Sequence, residues 1–168
     1  MSILANYEII DNFLPEEEFN RISGIIMGKQ FAWHFLEDVA EKNVKVDNVP
    51  HFYLYHMLFE FWRPGSNFFS IIEPLLMKLQ PKALIRIKCN LYQATPEIIK
   101  HGEHADFDWK HKGALYSLNT CNGATILEDG TKIDSVANRM LLFDSSRPHN
   151  STTCTDQPAR FNININYF

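Results

Sequence analysis

Two consecutive histidine–acid pairs lie within residues 101–109, HGEHADFDW. His101 and Glu103 form one His-x-acid pair, and His104 and Asp106 form the other. Residues two apart on an extended backbone project to the same side, so either pair could offer an imidazole and a carboxylate to one metal ion. The alternative is an exposed salt-bridged loop, because the chain has 7 histidines and 20 acidic residues and such pairs arise by chance.

A third metal ligand has to come from elsewhere in the chain. His149 follows the apolar segment RMLLFD (139–144), and Pro148 restricts the backbone just before it. Two histidines and one carboxylate form the facial triad of non-heme Fe(II) oxygenases, which leaves three coordination positions open. His149 could instead be a histidine at the start of a strand, bonded to backbone.

Arg160 begins a strictly alternating segment, ARFNININYF (159–168). One face is apolar, and the other carries Arg160, Asn162, Asn164 and Asn166. Asparagine is a poor strand former, so we interpret the polar row as the wall of a cavity, with a solvated edge face as the alternative. A guanidinium buried in such a cavity matches a carboxylate in a two-point contact.

The elements that must position these side chains differ between the two halves of the chain. The first half mixes a strand at 7–10, a helix opening at Pro15, a polar loop at 37–49 that we expect to be mobile, and an aromatic-rich strand at 51–62. A further helix is expected from Ser66 to about Leu79, with Pro74 as a kink or break.

From residue 83 the hydrophobic pattern has a period of two. Strands are expected at 83–93, 113–120, 123–129, 139–144 and 159–168, separated by turn residues. The prediction is one domain over 1–168, mainly β with flanking N-terminal helices. Residues 1–82 are expected to form a mixed helical and strand support layer, and 83–168 the all-β core.

Composition excludes several classes of protein. A net charge of −4 gives no general attraction to nucleic acid or to an anionic membrane. Cys89, Cys121 and Cys154 are scattered, which argues against a disulfide framework and favours the reducing cytoplasm. No signal peptide or membrane-spanning segment is apparent.

Taken together, HADF, RMLLFDSSRPHNS and ARFNININYF resemble the 2-oxoglutarate- and Fe(II)-dependent oxygenases, closest in layout to the prolyl 4-hydroxylase branch. ALYSLN followed by GATIL, and IIDNFLPEEEFNRI near the N-terminus, resemble further segments of that family. The resemblance implies a double-stranded β-helix core of the jelly-roll or cupin type. It also implies Fe(II), 2-oxoglutarate as cosubstrate and O2, with ascorbate as a supporting reductant.

The resemblance assigns roles to seven residues. His104, Asp106 and His149 would bind iron, with HADF preferred over His101-Gly-Glu103 because an aromatic residue follows the acid. Arg160 would pair with the distal carboxylate of 2-oxoglutarate. The other implied cosubstrate contacts are Asn90, Tyr92 and Asn162. Asn90-Leu91-Tyr92 and Arg160-Phe161-Asn162 resemble motifs of the nucleic-acid dealkylating branch, which has an arginine where this chain has Asn166.

The layout implies a hydroxylase that acts on a prolyl or similar side chain of a protein or peptide, with succinate and CO2 as coproducts. Oxidation of a nucleic-acid base is the alternative, which the net charge and Asn166 disfavour. A small-molecule substrate is also open, and a non-catalytic jelly-roll binding protein is the third hypothesis. The sequence gives neither the natural substrate nor the oligomeric state.

Overall fold

The computed structural model describes residues 7–37, 45–46, 49–50 and 52–168. Helix α1 spans Glu16–Ile26, and α2 spans Glu73–Leu79 after a 3₁₀ turn at Phe69–Ile72. The strands are β1 (Tyr7–Ile10), β2 (His34–Glu37), β3 (Lys45–Val46), β4 (Val49–Pro50), β5 (Phe52–Glu60), β6 (Arg63–Pro64), β7 (Leu84–Gln93), β8 (Lys112–Ser117), β9 (Cys121–Leu127), β10 (Lys132–Ser135), β11 (Arg139–Phe143), β12 (His149–Ser151) and β13 (Ala159–Tyr167). The mainly β prediction is confirmed.

Helix α1 begins directly after Pro15, as its sequence predicts. Its first turn consists of three glutamates, whose charge is favourable beside the free backbone N–H groups of a helix N-terminus. Ile22 and Ile26, four residues apart, are completely buried on one face. This face packs into the main hydrophobic core, so α1 covers one side of the β structure.

The second predicted helix is shorter than expected. Pro74 lies at the start of α2 and does not kink a longer helix, because a proline in the first turn sacrifices no hydrogen bond there. The preceding residues form the 3₁₀ turn, and Ser66 Oγ accepts a hydrogen bond from the Phe68 amide at 3.0 Å. Helix α2 ends at Gln80, whose φ of 51° is left-handed.

Two antiparallel sheets form the body of the protein. The large sheet has the order β1-β11-β8-β13-β7-β5-β2, with β6 paired to β5, and the small sheet has the order β10-β9-β12. Side chains from both sheets line one cavity, which is the jelly-roll arrangement. The large sheet takes strands from both sides of residue 82 and is therefore continuous across the two predicted layers.

The centre of the large sheet consists of β7 and β13. They pair along almost their full length, so that Arg160 is opposite Tyr92 and Asn162 is opposite Asn90. One face of the two strands packs with α1 and α2 into the main core. The other face is the polar row noted in the sequence, and it is buried against the small sheet: Arg160 and Asn162 are each 1% exposed.

The expected loop at 37–49 falls largely outside the described residues. Within that range, Glu37 ends β2, and β3 pairs with β4 in a short antiparallel hairpin. No helix among the described residues is long and apolar enough to cross a membrane.

Candidate metal centre and buried arginine

His104 and His149 are brought together by backbone pairing. The His104 amide donates to the His149 carbonyl at 3.0 Å, and the His149 amide donates back to the His104 carbonyl at 2.9 Å. The two residues thus form an isolated antiparallel bridge at the first residue of β12, and the centres of their rings are 4.7 Å apart. Residues that are far apart in the sequence therefore present their imidazoles side by side.

The geometry of both histidines leaves the same ring nitrogen available. His104 Nδ1 lies 3.2 Å from the Gly102 carbonyl, and His149 Nδ1 lies 3.0 Å from the Arg147 carbonyl. Since a carbonyl only accepts, each Nδ1 carries the proton and each Nε2 has a free lone pair. This second hydrogen bond is the usual way in which proteins fix a metal-binding histidine. Burial, with the neighbouring His149, lowers the pKa of His104, which favours the neutral form that binds metals.

Asp106 completes the cluster. Its ligand atoms and those of His104 and His149 all lie within 4.8 Å of one another. The carboxylate is 4% exposed and forms an ion pair with Arg86 at 2.9 Å. Burial opposes its ionisation, but the positive charge of Arg86, the electrostatic influence of the nearby His149 ring and the amides of two asparagines outweigh burial and lower the pKa of Asp106 to about 2. The group is therefore a carboxylate at neutral pH.

Arg160 lies deep in the same cavity, and the described part of the chain gives it no acidic partner. One terminal nitrogen, Nη1, donates to the Ala124 and Thr152 carbonyls at 2.7 and 3.3 Å, and Nη2 donates to Thr125 Oγ1 at 2.8 Å. Its Nε has no partner, and no carboxylate among the described residues lies within 4.0 Å of the guanidinium. A buried cation without a counter-ion is costly, so this site is suited to an anion.

The remaining predicted contacts surround Arg160. Asn90 Nδ2 donates to Asn162 Oδ1 at 2.9 Å, which joins the two amides across β7 and β13. Tyr92 packs beside the guanidinium, whose carbon lies 5.9 Å from the ring centre. Burial raises the pKa of Tyr92, so its hydroxyl keeps a proton to donate.

One cavity contains all seven predicted site residues. It encloses about 430 Å³ of empty space, part of it open to solvent. Its lining consists of Lys88, Asn90, Tyr92, His104, Asp106, Leu115, Thr125, Phe143, His149, Ser151, Arg160, Asn162 and Asn164. The structure thus brings the predicted metal ligands and the predicted cosubstrate contacts into one space.

The other histidine–acid pair has a different place. His101 is 2% exposed, its Nδ1 lies 2.7 Å from Ser151 Oγ, and its ring packs against Tyr92 at 5.0 Å. Glu103 and Asp108 are exposed. His101, Glu103 and Asp108 therefore do not belong to the three-residue ligand cluster.

Sequence reasoning overlooked the basic side chains of β7. Arg86 and Lys88, together with Lys78 and Lys82, fit a solvated helix end and strand start, but the structure turns Arg86 and Lys88 into the site. Arg86 binds Asp106, and Lys88 Nζ lies 3.2 Å from Tyr53 Oη. Burial, with the charge of Arg86, lowers the pKa of Lys88 to about 8. The period-two pattern indicates this placement, since both residues share a face of β7 with Asn90 and Tyr92.

A second cluster of possible ligands lies outside this cavity lining. Cys121, Cys154 and Asp156 also place their ligand atoms within 4.8 Å of one another. Both Asp156 oxygens already accept the Asn122 amide at 3.0 and 3.1 Å, and burial raises the pKa of Cys154 to about 11. A protonated Cys154 thiol and an engaged carboxylate make this cluster the poorer metal site.

Comparison with known proteins supports the fold. No protein-family model and no curated protein sequence matches the chain. Among solved structures, a Trichoplax adhaerens prolyl hydroxylase in complex with a hypoxia-inducible-factor peptide fragment aligns with a TM-score of 0.69 and 19% identity, over 97% of this chain and 83% of that one. The viral collagen prolyl hydroxylase of Paramecium bursaria Chlorella virus-1, solved with 2-oxoglutarate, aligns at 0.64 and 13%, over 96% and 94%.

A third similar structure belongs to an enzyme with a different activity. The non-heme α-ketoglutarate-dependent epimerase of nogalamycin biosynthesis aligns with a TM-score of 0.64 and 14% identity, over 97% of this chain and 77% of that one. The chain therefore has the jelly-roll fold of the 2-oxoglutarate- and Fe(II)-dependent oxygenases, in a prolyl-hydroxylase-like arrangement.

Proposed function

We propose that this protein is an Fe(II)- and 2-oxoglutarate-dependent dioxygenase that hydroxylates a C–H bond and releases succinate and CO2. The observation that carries the proposal is Arg160, a buried guanidinium without a carboxylate partner that lines the same cavity as the His104–Asp106–His149 cluster. A metal cluster alone fits many hydrolases and binding proteins. A metal cluster together with an anion site fits a metal-chelating dicarboxylate.

The residues present fit both groups. His104 and His149, through Nε2, and the Asp106 carboxylate would hold Fe(II) and leave three positions for other ligands. Arg160 would bind the distal carboxylate of 2-oxoglutarate, and its unpartnered Nε is a donor still available for that contact. Tyr92, Asn90 and Asn162 are the further cosubstrate contacts. The iron, 2-oxoglutarate and O2 together supply the oxidant, which no side chain of the protein can provide.

The protein's own contribution is position and exclusion of water. Arg160 is held by three donor contacts to β9 and the start of the loop after β12, so its orientation is fixed before any ligand arrives. The ligand histidines are fixed by their backbone bridge and by their Nδ1 hydrogen bonds. A site assembled in advance spends little binding energy on ordering itself.

A prolyl or similar side chain of a protein or peptide is the proposed substrate. Its support is the similarity in fold to two prolyl hydroxylases, one of them solved with a peptide. Oxidation of a nucleic-acid base stays the alternative, and the epimerase neighbour keeps a small-molecule substrate open. We place the reaction in the cytoplasm because all three cysteines are free and buried, as in proteins of reducing compartments.

The test is succinate formation from 2-oxoglutarate by the purified protein with Fe(II), O2 and ascorbate. Proline-containing peptides, methylated oligonucleotides and small cyclic metabolites are compared as stimulating substrates. We expect succinate in all arms at a slow rate, a faster rate with a peptide, and no succinate with His149→Ala. His34→Ala, which removes an exposed histidine of β2, is the matched control and should keep the rate.

Each outcome bears on a different part of the proposal. Absence of succinate in every arm contradicts the oxygenase itself. Stimulation by oligonucleotides or metabolites, and not by peptides, replaces the substrate class and leaves the chemistry. Equal rates for His149→Ala and the wild type overturn the metal ligand assignment.

A further inference from the structure

We propose that Arg86, Asn164 and Asn166 are positioning residues that restrict Asp106 to a single oxygen donor toward the metal. These three side chains, the Asp106 clamp, come from β7 and β13. The proposal rests on the proposed function, because it concerns how the metal centre keeps one coordination position open beside its cosubstrate.

The argument starts from the hydrogen bonds that Asp106 accepts. A carboxylate offers about four lone-pair sites, two on each oxygen. Oδ2 accepts Asn166 Nδ2 at 2.8 Å and Asn164 Nδ2 at 3.1 Å, so both of its sites are used. Oδ1 accepts Arg86 Nη2 at 2.9 Å and has only a long contact, 3.4 Å, with Asn164. One site, on Oδ1, therefore remains for a metal.

The three donors are held firmly enough to impose this limit. Asn166 is opposite Arg86, and Asn164 is opposite Lys88, in the register of β13 and β7 at the centre of the large sheet. Asn166 is completely buried, and its Nδ2 also donates to Ser145 Oγ at 3.2 Å. The Arg86 guanidinium lies 4.8 Å from the ring centre of Phe107, which follows Asp106 directly. Strand pairing and aromatic packing thus fix the donors around the carboxylate.

The consequence concerns the number of coordination positions. A carboxylate that binds through both oxygens takes two positions of an octahedral metal, and with two histidines it leaves two. A carboxylate that binds through one oxygen leaves three. A chelating cosubstrate occupies two positions, so only the single-oxygen arrangement leaves one for a further ligand. The clamp therefore preserves the position that stays open beside a bound cosubstrate, and binding of the metal or of the cosubstrate by itself does not require it.

Variants of a charged and of a neutral member distinguish the clamp from a pure charge effect. Removing the charge of Arg86 lowers the positive potential and should favour a divalent cation while disfavouring an anionic cosubstrate. Removing the neutral amide of Asn166 changes no charge. Arg86 bonds Oδ1, so its removal leaves Oδ2 occupied by the two asparagines, whereas removal of Asn166 frees a site on Oδ2. If the clamp limits Asp106 to one oxygen, Asn166→Ala must therefore cost the metal the position that stays open beside 2-oxoglutarate.

The experiment measures two dissociation constants, for Mn(II) and for 2-oxoglutarate on the Mn(II)-loaded protein, by calorimetry without O2. The variants are Arg86→Met, which keeps an apolar stem against Phe107, and Asn166→Ala. The control is Arg21→Met, which removes an exposed arginine paired with Glu18 at 3.0 Å, almost the distance of the Arg86–Asp106 pair. Water-proton relaxation by Mn(II) reports how many waters stay on the metal beside bound 2-oxoglutarate, and circular dichroism reports folding.

We expect Mn(II) to keep one bound water beside 2-oxoglutarate in the wild type and in Arg21→Met, and to lose it in Asn166→Ala. Arg86→Met should keep this water, because Asn164 and Asn166 still occupy Oδ2, and should bind 2-oxoglutarate more weakly because a positive charge is removed. If Arg86→Met does not fold, Asn166→Ala decides the question alone.

Two results would overturn the clamp. A water that stays on Mn(II) beside 2-oxoglutarate in Asn166→Ala would show that Asn166 does not limit Asp106 to one oxygen, whatever Arg86→Met does. A wild-type protein that binds neither Mn(II) nor 2-oxoglutarate would remove the proposed function and the clamp together, whereas normal wild-type binding with unaffected variants removes only the clamp.

Discussion

Strands β7 and β13 bury both of their faces, and the two faces differ in chemistry. The face toward α1 and α2 is apolar, and Ile87, Cys89, Ile163 and Ile165 on it are all completely buried. The face toward the small sheet carries Asn90, Arg160, Asn162, Asn164 and Asn166, which are between 0% and 8% exposed. Equal burial thus accompanies opposite polarity on the same two strands.

The two faces have opposite effects on stability. Each buried aliphatic side chain contributes about 1.5–3 kcal/mol through the hydrophobic effect. On the polar face, a buried polar atom without a partner costs about 1–3 kcal/mol. Six buried side-chain atoms lack a partner among the described residues, and five belong to Arg86, Asn90, Arg160, Asn164 and Asn166 of this face. The polar face therefore weakens the fold, and the proposed binding of iron and 2-oxoglutarate would account for its presence.

Arg160→Met should have the largest effect and should separate the two faces. Under the proposed function, loss of the guanidinium that would bind the distal carboxylate should raise the KM for 2-oxoglutarate by about 100-fold or more, the cost of a buried charge-assisted pair. The same change should leave the free energy of unfolding equal or higher, because an unpaired buried charge is removed. Succinate formation at varied 2-oxoglutarate, together with urea unfolding, measures both quantities. A large loss of stability would mean that Arg160 is structural.

Ile163→Ala tests the opposite, apolar face of the same strand, at the position between Asn162 and Asn164. It deletes a completely buried side chain from the core and should lower the free energy of unfolding by about 2–5 kcal/mol. Activity per folded molecule should stay close to the wild type, because the cavity side is untouched. Denaturant midpoints and the succinate assay at low temperature measure the two effects. A rise in the KM for 2-oxoglutarate that, expressed as a free energy, exceeds the loss of unfolding free energy would show that a change on the apolar face alters the polar one.

His56 places a titratable group on the apolar side and should give a smaller, pH-dependent effect. Its Nδ1 donates to the Ala32 carbonyl, and its Nε2 lies 2.7 Å from Ser66 Oγ. Burial lowers the pKa of His56 below its ordinary 6.5. The unfolded chain therefore takes up a proton first, so stability is complete above about pH 6.5 and declines as the pH falls through the folded pKa. His56→Gln should flatten urea-midpoint measurements between about pH 7.5 and 5. An unchanged slope would assign the acid sensitivity to other groups.

The sequence predicted the central strands and their faces because strict alternation over nine or ten residues is a strong local signal. It could not predict β10 and β12, which have four and three residues, too few for a period. The aromatic strand ends at Glu60, and not at residue 62, because Phe61 and Trp62 turn the chain with φ of 52° and 61°, values typical of glycine or asparagine. No local pattern announces an aromatic pair in such a turn.

The site was predictable to the extent that its residues carry motifs. His104, Asp106, His149 and Arg160 were selected by residue type and order, and the structure brings them to one cavity. The role of Arg86 was missed because its partner, Asp106, is 20 residues away in the sequence and contacts it only in the folded structure. A basic residue at a strand start is usually solvated, and only burial and an acidic partner reveal otherwise. The ligand assignment itself stays a prediction.

The most direct test of the central claim is an anomalous difference map at the iron absorption edge. Crystals are grown without O2 in the presence of Fe(II) and 2-oxoglutarate. The account predicts one peak bonded to His104 Nε2, His149 Nε2 and one oxygen of Asp106, with the distal carboxylate of 2-oxoglutarate on Arg160. A peak at Cys121, Cys154 and Asp156, or no peak at the two histidines, would contradict it.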